Sequence, residues 1–235
     1  MKGIVFLGER RTELREFPDP QPGPRDVILE IKASGMCGTD LKPYRETFVP
    51  GAVRGGIKRS MEPVIAGHEP CGVVVELGSA VSEREARLGQ RVMDHHYQGC
   101  GVCRHCMGGW RQMCVDGAVV FGSVAHGAHA PYMRVPVDTL VTLPDELSFE
   151  TGAAIACGTG TAFGALNRLS LHGDETIAIF GQGPVGLSAT QLAHAMGARV
   201  IALDISSERR GLAAEMGADI TLDPMVGDPV EMILE

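Results

Sequence analysis

Four of the chain's seven cysteines follow one another as Cys100-x2-Cys103-x2-Cys106-x7-Cys114. That spacing lets a single loop wrap one ion with sulfur at every corner, and few folds accommodate such a lobe. Zinc suits a closed tetrahedral thiolate shell, being borderline-soft and free of redox chemistry. Gly99, Gly101, Gly108 and Gly109 punctuate the segment and permit the sharp bends a tight chelate needs. Two disulfides are the competing reading, and an odd cysteine count fits ligands better. A four-thiolate site has no open position for a substrate, so this zinc staples the fold and chemistry must lie elsewhere.

The totals narrow the class. A length of 235 residues suggests one or two domains, and 44% hydrophobic with 21% charged residues is ordinary for a globular chain. A net charge of −8 argues against a nucleic-acid surface or an anionic membrane as the main partner. The apolar start, residues 3–7, is too short for a signal peptide, and Glu9, Arg10 and Arg11 follow at once. No stretch approaches the roughly 18 apolar residues of a membrane span. Metal-type thiols without an export signal place the protein in a reducing cytoplasm.

Two halves of the chain have different patterning. Up to about residue 150, short β-branched runs (27–33, 71–77, 131–135, 140–143) alternate with turn residues such as Pro22-Gly23-Pro24. This half reads as a compact, mostly β, barrel-like domain with the cysteine lobe, about 95–116, as a long excursion. From Ser148 and Glu150 onward the reading is helix, helix at 160–169, strand at 176–180, helix at 184–196, strand at 199–203, helix at 207–216 and strand at 219–222. Such alternation predicts βαβ units around a parallel sheet, an α/β fold.

Gly181-Gln182-Gly183-Pro184-Val185-Gly186 matches G-x-G-x-x-G between a predicted strand and helix, and Asp204 closes the next predicted strand. Gly181 permits the turn, Gly183 lets a pyrophosphate approach the backbone, and Gly186 lets helix and strand pack closely. The helix N-terminus then offers free N–H groups to phosphate. Asp204 can accept ribose hydroxyls and repel a 2′-phosphate, which favours NAD over NADP. Arg209 and Arg210 nearby are the groups that could serve NADP instead.

The remaining ligand types are scattered. Cys37 lies in Gly35-Met36-Cys37-Gly38-Thr39-Asp40, His68 and Glu69 in Gly67-His68-Glu69-Pro70, and Cys157 in Ala156-Cys157-Gly158-Thr159-Gly160-Thr161. Two thiolates and an imidazole would leave a fourth tetrahedral position open, as a catalytic zinc requires. Taken singly, each cysteine reads as well as a small core residue, and His68 as a satisfied core histidine. Cys71 is read as core. Spacing alone does not bring residues 37, 68 and 157 together.

These motifs, in this order, resemble the zinc-dependent medium-chain dehydrogenase/reductase family of alcohol, polyol and threonine dehydrogenases, over essentially the whole chain. The resemblance implies a GroES-like, mostly β catalytic domain at 1–150 and the first half of a Rossmann doubly wound parallel sheet at 151–235. It implies two zincs per subunit and NAD, an active site in the cleft between the domains, and a homo-oligomer, dimer or tetramer. Position by position, Cys37, His68 and Cys157 match the catalytic zinc ligands, and Glu69 matches a carboxylate that in some members joins the metal. That Cys2His ligand set is what the resemblance implies. Asp40 matches an acid that orients the zinc-bound imidazole, and Thr39 the hydroxyl that takes the substrate's proton. Cys100, Cys103, Cys106 and Cys114 match the structural zinc ligands. Thr161, with Gly181, Gly183, Pro184, Val185, Gly186, Asp204 and Arg209, falls with the cofactor-binding residues.

The activity implied is hydride transfer between the CH–OH group of an alcohol or polyol and NAD. The alternatives are oxidation of an amino alcohol, as in L-threonine 3-dehydrogenases, and, in another class, a truncated non-catalytic zinc-binding remnant. Two departures from the family leave the substrate open. Lys42 stands where a relay histidine is common, and His96 stands where a simple alcohol dehydrogenase has an apolar wall. His95 and His105 are read as surface histidines. A complete dinucleotide fold has about six strands, and only three fit here. The expectation is therefore a fragment or a naturally short chain that binds the structural zinc and holds NAD poorly.

Overall fold

The computed structural model describes residues 1–54 and 57–234. The chain divides into two compact units, Met1–Cys157 and Gly158–Glu235. The helix Phe149–Ala154, which begins on the Ser148 cap, belongs by packing to the first unit: Ala153 is buried with Cys71, Met93 and Leu143. That contact moves the division a few residues beyond the change of pattern visible in the sequence.

A five-stranded antiparallel sheet carries the first unit, in the order Tyr132–Pro136, Asp26–Gly35, Glu69–Leu77, Arg91–Asp94, Leu140–Thr142. Alternate residues face inward, so Val27 and Leu29, Met133 and Val135, and Val74 with Val92 form one core. Burying each such side chain is worth about 1.5–3 kcal/mol, which is what holds the register. An N-terminal hairpin, Lys2–Gly8 with Arg11–Glu16, adds to the unit; its exposed charged second strand hides it from a hydrophobic reading.

Two register shifts shape the end of this sheet nearest Cys37. Between Asp26–Gly35 and Glu69–Leu77 the pairing slips at Ile28/Leu29 and again at Ile31/Ala33. Bulges bend and twist a strand. The bent pair continues until Ser34 faces Pro70 and Gly35 faces Glu69, which places His68 and Glu69 beside the turn that begins at Cys37.

The second unit is a βαβαβ half. Thr176–Phe180, Arg199–Leu203 and Ile220–Leu222 pair in parallel, in sequence order, with Pro184–Ala195 and Ser207–Glu215 as the crossovers. Leu166, Ile179, Ala193 and Val200 form its core. The predicted strands and helices of this half agree with the structure to within a residue or so at each end. No described helix is long and apolar enough to cross a membrane.

Candidate metal centres and dinucleotide turn

The cysteine lobe is closed at its base by Tyr97–Gln98 pairing with Val119–Val120. Within it the sulfurs of Cys100, Cys103, Cys106 and Cys114 all lie within 4.8 Å of one another, and all four are free thiols. Backbone amides point at them: Cys100 N–H donates to the Cys114 sulfur at 3.3 Å, Cys103 N–H to Cys100 at 3.4 Å and Cys106 N–H to Cys103 at 3.5 Å. Amides from Cys106 and Val115 pull the Cys103 thiol down to about 6. Cys100 also receives amides, from Val102 and Cys103, yet desolvation, the Cys114 sulfur and Asp116 drive it up to about 12. Four sulfurs this close cannot all be anions unless a cation sits among them. The donor set therefore fits zinc, and Arg111 ties the lobe to the sheet side by pairing with Asp138 at 2.8 Å.

A second cluster forms from the scattered residues. The donor atoms of Cys37, His68, Glu69 and Cys157 lie within 4.8 Å of one another. The Cys37 and Cys157 sulfurs are 3.9 Å apart although 120 residues separate them. Two thiolates at about 2.3 Å on a tetrahedral zinc stand roughly 3.8 Å apart, so the gap matches. Cys37 caps the short turn Gly38–Asp40, and the Asp40 carboxylate reaches back to the Cys37 N–H at 2.9 Å. Its other oxygen meets His68 Nδ1 at 3.0 Å, which leaves Nε2 turned toward the sulfurs. Thr39 Oγ1 lies 3.2 Å from that Nε2. Cys157 sits on a π-helical turn, Ile155–Thr159, a local unwinding common at functional sites.

The electrostatics of this cluster also call for a positive ion. Burial opposes charge on His68, but Asp40 and Cys157 outweigh it and raise the imidazole to about 11. Burial raises Glu69 above the usual carboxylate range and raises Cys157, whereas Thr39 and His68 outweigh burial at Cys37 and lower it. Without a metal, the His68 imidazolium is the positive charge that Asp40 and the neighbouring Cys157 and Cys37 thiols draw on. A dication would replace that proton with neutral imidazole as its ligand.

Beside the cluster is a cavity of about 260 Å³ whose wall includes Thr39, Lys42, His68, His96, Tyr97 and Phe121. Pro43, Ala52, Val120 and Phe121 add apolar lining, and Lys42 is exposed. A larger cavity, about 580 Å³, lies against Phe17, Val119 and Met133 and holds none of the clustered donors.

Two neighbours of this wall differ from expectation. His95 is half-buried rather than a surface residue, because its N–H is tied to Thr139 O at 2.9 Å, and its Nε2 has no partner among the described residues. Asp94, which nothing in the sequence singled out, is 0% exposed, and burial pushes its carboxyl far above the usual range. His96 is buried with its ring edge-on to His68, centroids 4.9 Å apart. Burial and the His68 charge drive it down to about 3, so it is a neutral imidazole.

In the second unit, residues 181–186 form the turn between strand Thr176–Phe180 and helix Pro184–Ala195, with Gly183 as N-cap and Pro184 opening the helix. Gly181 has φ +86°, and a Cβ on Gly186 would stand 1.8 Å from Gly181 O. A Cβ on Gly183 would meet nothing within 4 Å. The protein leaves that space open directly over free helix N–H groups, the cradle a phosphate needs. Val185 is exposed at the same end. Thr161 is exposed on the helix Gly160–Leu169, outside the turn itself.

Asp204 is 6% exposed, and its oxygens accept from Gln182 N at 2.6 Å and Ser206 N at 2.8 Å, which holds it ionised below the usual range. Arg209 lies 3.8 Å from it, and Arg210 is committed to Asp223 at 3.0 Å and to Asp204 O. Gln182 is a functional position that sequence reasoning missed: fully buried, it donates to Ile179 O and accepts from Thr190, locking the turn. The sequence held a signal for it only as a polar residue inside the glycine motif.

The chain is similar to known proteins. The family description "Alcohol dehydrogenase GroES-like domain" matches residues 23–145, and "Zinc-binding dehydrogenase" matches residues 184–235. The zinc-type alcohol dehydrogenase-like protein YphC of Escherichia coli is 37% identical over 92% of this chain and 61% of its own length. An alcohol dehydrogenase of Geobacillus stearothermophilus is 34% identical over 99% of this chain and 66% of its own. Among solved structures, the alcohol dehydrogenase TADH from Thermus sp. ATN1 superposes with a TM-score of 0.85 at 30% identity, covering 99% of this chain and 66% of that one. The chain thus spans about three-fifths to two-thirds of the length of these relatives. With both family descriptions matched and both donor clusters assembled, the chain belongs to the zinc-dependent medium-chain dehydrogenase/reductase family.

Proposed function

We propose that the protein is a zinc-dependent oxidoreductase that moves a hydride between the CH–OH group of an alcohol or polyol and NAD. One observation carries this reading: Cys37, His68, Glu69 and Cys157 converge with a 3.9 Å sulfur pair, beside a cavity walled by Thr39. Cys37, His68 and Cys157 would hold a catalytic zinc, with Glu69 within reach of the same ion, and the four lobe cysteines a structural one. When bound, a zinc of this kind supplies Lewis-acid charge that can lower the pKa of a coordinated water to about 7. Asp40 fixes the His68 ring and its tautomer. Thr39, next to His68 Nε2 on the cavity wall, is placed to take a hydroxyl proton and pass it toward solvent.

Residues 181–186, with Asp204, would bind the dinucleotide, which supplies the hydride acceptor. Thr161 and Arg209 are assigned with them on family position. Gly183→Ala is expected to fold normally and weaken NAD binding by roughly tenfold or more, because its methyl fills the phosphate cradle and touches nothing else. Gly186→Ala instead forces a backbone clash and should cost about 1–3 kcal/mol of stability. Thermal melts and calorimetric titration with NAD separate the two effects.

The buried Asp204 charge favours NAD over NADP, since each carboxylate oxygen keeps a lone pair for a ribose hydroxyl and repels a 2′-phosphate. Asp204→Asn should shift the NADP:NAD preference by roughly tenfold toward NADP, about 1.4 kcal/mol. It should also cost about 1–2 kcal/mol in stability, because an amide cannot accept from both Gln182 and Ser206. An unchanged cofactor ratio in steady-state kinetics would remove Asp204 from the site.

Free thiols throughout fit a reducing cytoplasm, and the family resemblance points to a homo-oligomer, dimer or tetramer. The decisive experiment incubates the full-length protein with NAD and a panel of short alcohols, polyols and L-threonine, following NADH absorbance, with zinc measured on the same sample. Alcohol-dependent NADH formation with two zincs per chain is expected. A single zinc and no turnover would favour a non-catalytic remnant.

A further inference from the structure

The strand Arg91–Asp94 ends where the cysteine lobe begins, and its last side chain is a fully buried acid. Neither oxygen of the Asp94 carboxyl has a hydrogen-bond partner of ordinary geometry among the described residues. Val92, on the same face of the strand, lies in the main core, so the surroundings on that side are apolar. The side chain that acts on Asp94 is the hydroxyl of Thr139, itself 2% exposed. A threonine hydroxyl has a single proton, and here it is donated to Pro136 O at 2.7 Å. Thr139 Oγ1 is therefore left to accept from Asp94, and it would repel a carboxylate. A buried carboxyl without donors keeps its proton, because an unpaired charge in such a place costs more than neutralisation.

The charged groups nearby do not reverse this. Asp138 adds repulsion, and Arg111, which attracts, is paired with Asp138 at 2.8 Å. Arg91, on the same strand, is bound to Pro144 O, Asp145 and Leu147 O. On the strand Glu69–Leu77, Cys71 stands opposite Met93 and packs with Ala153 and Leu143 in the other core cluster. The strand Leu140–Thr142 carries no titratable group, and burial holds the next residue, His95, below the usual imidazole range.

We infer that Asp94 is a neutral carboxylic acid whose proton clasps Thr139, making the base of the lobe a pH-sensitive latch. The turn Val137–Thr139 is where the lobe is fastened: it also takes the His95 N–H on Thr139 O at 2.9 Å and Arg111 on Asp138. Loss of the Asp94 proton sets an anion against Thr139 Oγ1 and near Asp138, and opening to water relieves it. An aspartate in an opened chain ionises from about pH 4, whereas the closed latch keeps its proton to a much higher pH. Between those limits the open state binds fewer protons, so each pH unit upward favours opening by up to about tenfold. Above the upper limit the effect levels off.

The test compares wild type with Asp94→Asn in the full-length, zinc-loaded protein, by amide hydrogen exchange between pH 5 and 8. The asparagine amide can still donate to Thr139 Oγ1 and has no proton to lose. Dividing the wild-type rate by the variant rate at each pH cancels the ordinary base catalysis of exchange. At the His95 amide this ratio is expected to climb by roughly tenfold per pH unit. At Ala202, buried on the central strand of the second unit, it should stay near one. A flat ratio at His95 overturns the inference, and an equal climb at both amides overturns the latch in favour of whole-molecule unfolding. A second readout needs no variant: spectra of wild type labelled with 13C-aspartate should show one carboxyl still protonated at pH 7. Its absence overturns the inference even if Asp94→Asn fails to fold.

Discussion

Cys37→Ser is expected to leave the fold intact and to lower turnover by at least roughly a thousandfold. Serine supplies a poor, protonated oxygen where zinc needs an anionic sulfur, and the charge stabilisation a bound ion provides is several kcal/mol. A loss of about 4 kcal/mol is roughly a factor of a thousand in rate. The fold survives for local reasons. Residue 37 caps the turn Gly38–Asp40, a position serine favours, and the bond from the Asp40 carboxylate goes to the residue 37 backbone N–H, which serine keeps. Cys37 is only partly buried, so the exchange leaves no cavity. The expected signature is an unchanged thermal melt, one zinc fewer per chain, and almost no NADH formation. Turnover within threefold of wild type would disprove the assignment of Cys37 as a ligand.

Cys103→Ser has the opposite profile. The lobe has little core of its own: Val102, Met107 and Val115 are 64–78% exposed, and of its cysteines only Cys106 and Cys114 are buried. What would gather the loop is an ion held by its four clustered sulfurs, assisted by amides pointing at them. Removing one ligand should cost roughly 3–5 kcal/mol, in the range reserved for loss of a structural metal. Because the lobe hangs from a single short strand pair and the Arg111–Asp138 bridge, unfolding is expected to begin there. Limited proteolysis should cut within residues 99–117 in the variant and not in the wild type. The molecules that remain folded should keep their second zinc. If both zincs left together, the two sites would be coupled and the separation of roles would fail.

The contrast between these two cysteines shows what a linear chain can reveal. Every donor of the lobe lies within one short loop, so its chelate geometry is a matter of local spacing and was legible at once. The glycine turn is equally local: strand, bend and helix N-terminus occupy consecutive residues, and Gly186 is required by contact with Gly181 in the same turn. The helices and strands of the second unit arise from the same short-range patterning.

The other cluster was legible only by resemblance. Cys37 and Cys157 meet across 120 residues because two bulges bend the pairing of Asp26–Gly35 with Glu69–Leu77 and a π turn presents Cys157. No local rule encodes a register slip, since its cost and benefit depend on which side chains the rest of the sheet buries. The burial of Asp94 and His95, the commitment of Arg210 to Asp223, and the unpaired nitrogen of His96 are likewise consequences of neighbours distant in sequence. From its residues alone the chain determined a stapled lobe, a dinucleotide-type turn and the kinds of donor available. Tertiary structure decided which donors converge and which polar groups line the cavity beside them, because desolvation and long-range contact exist only once the chain has folded.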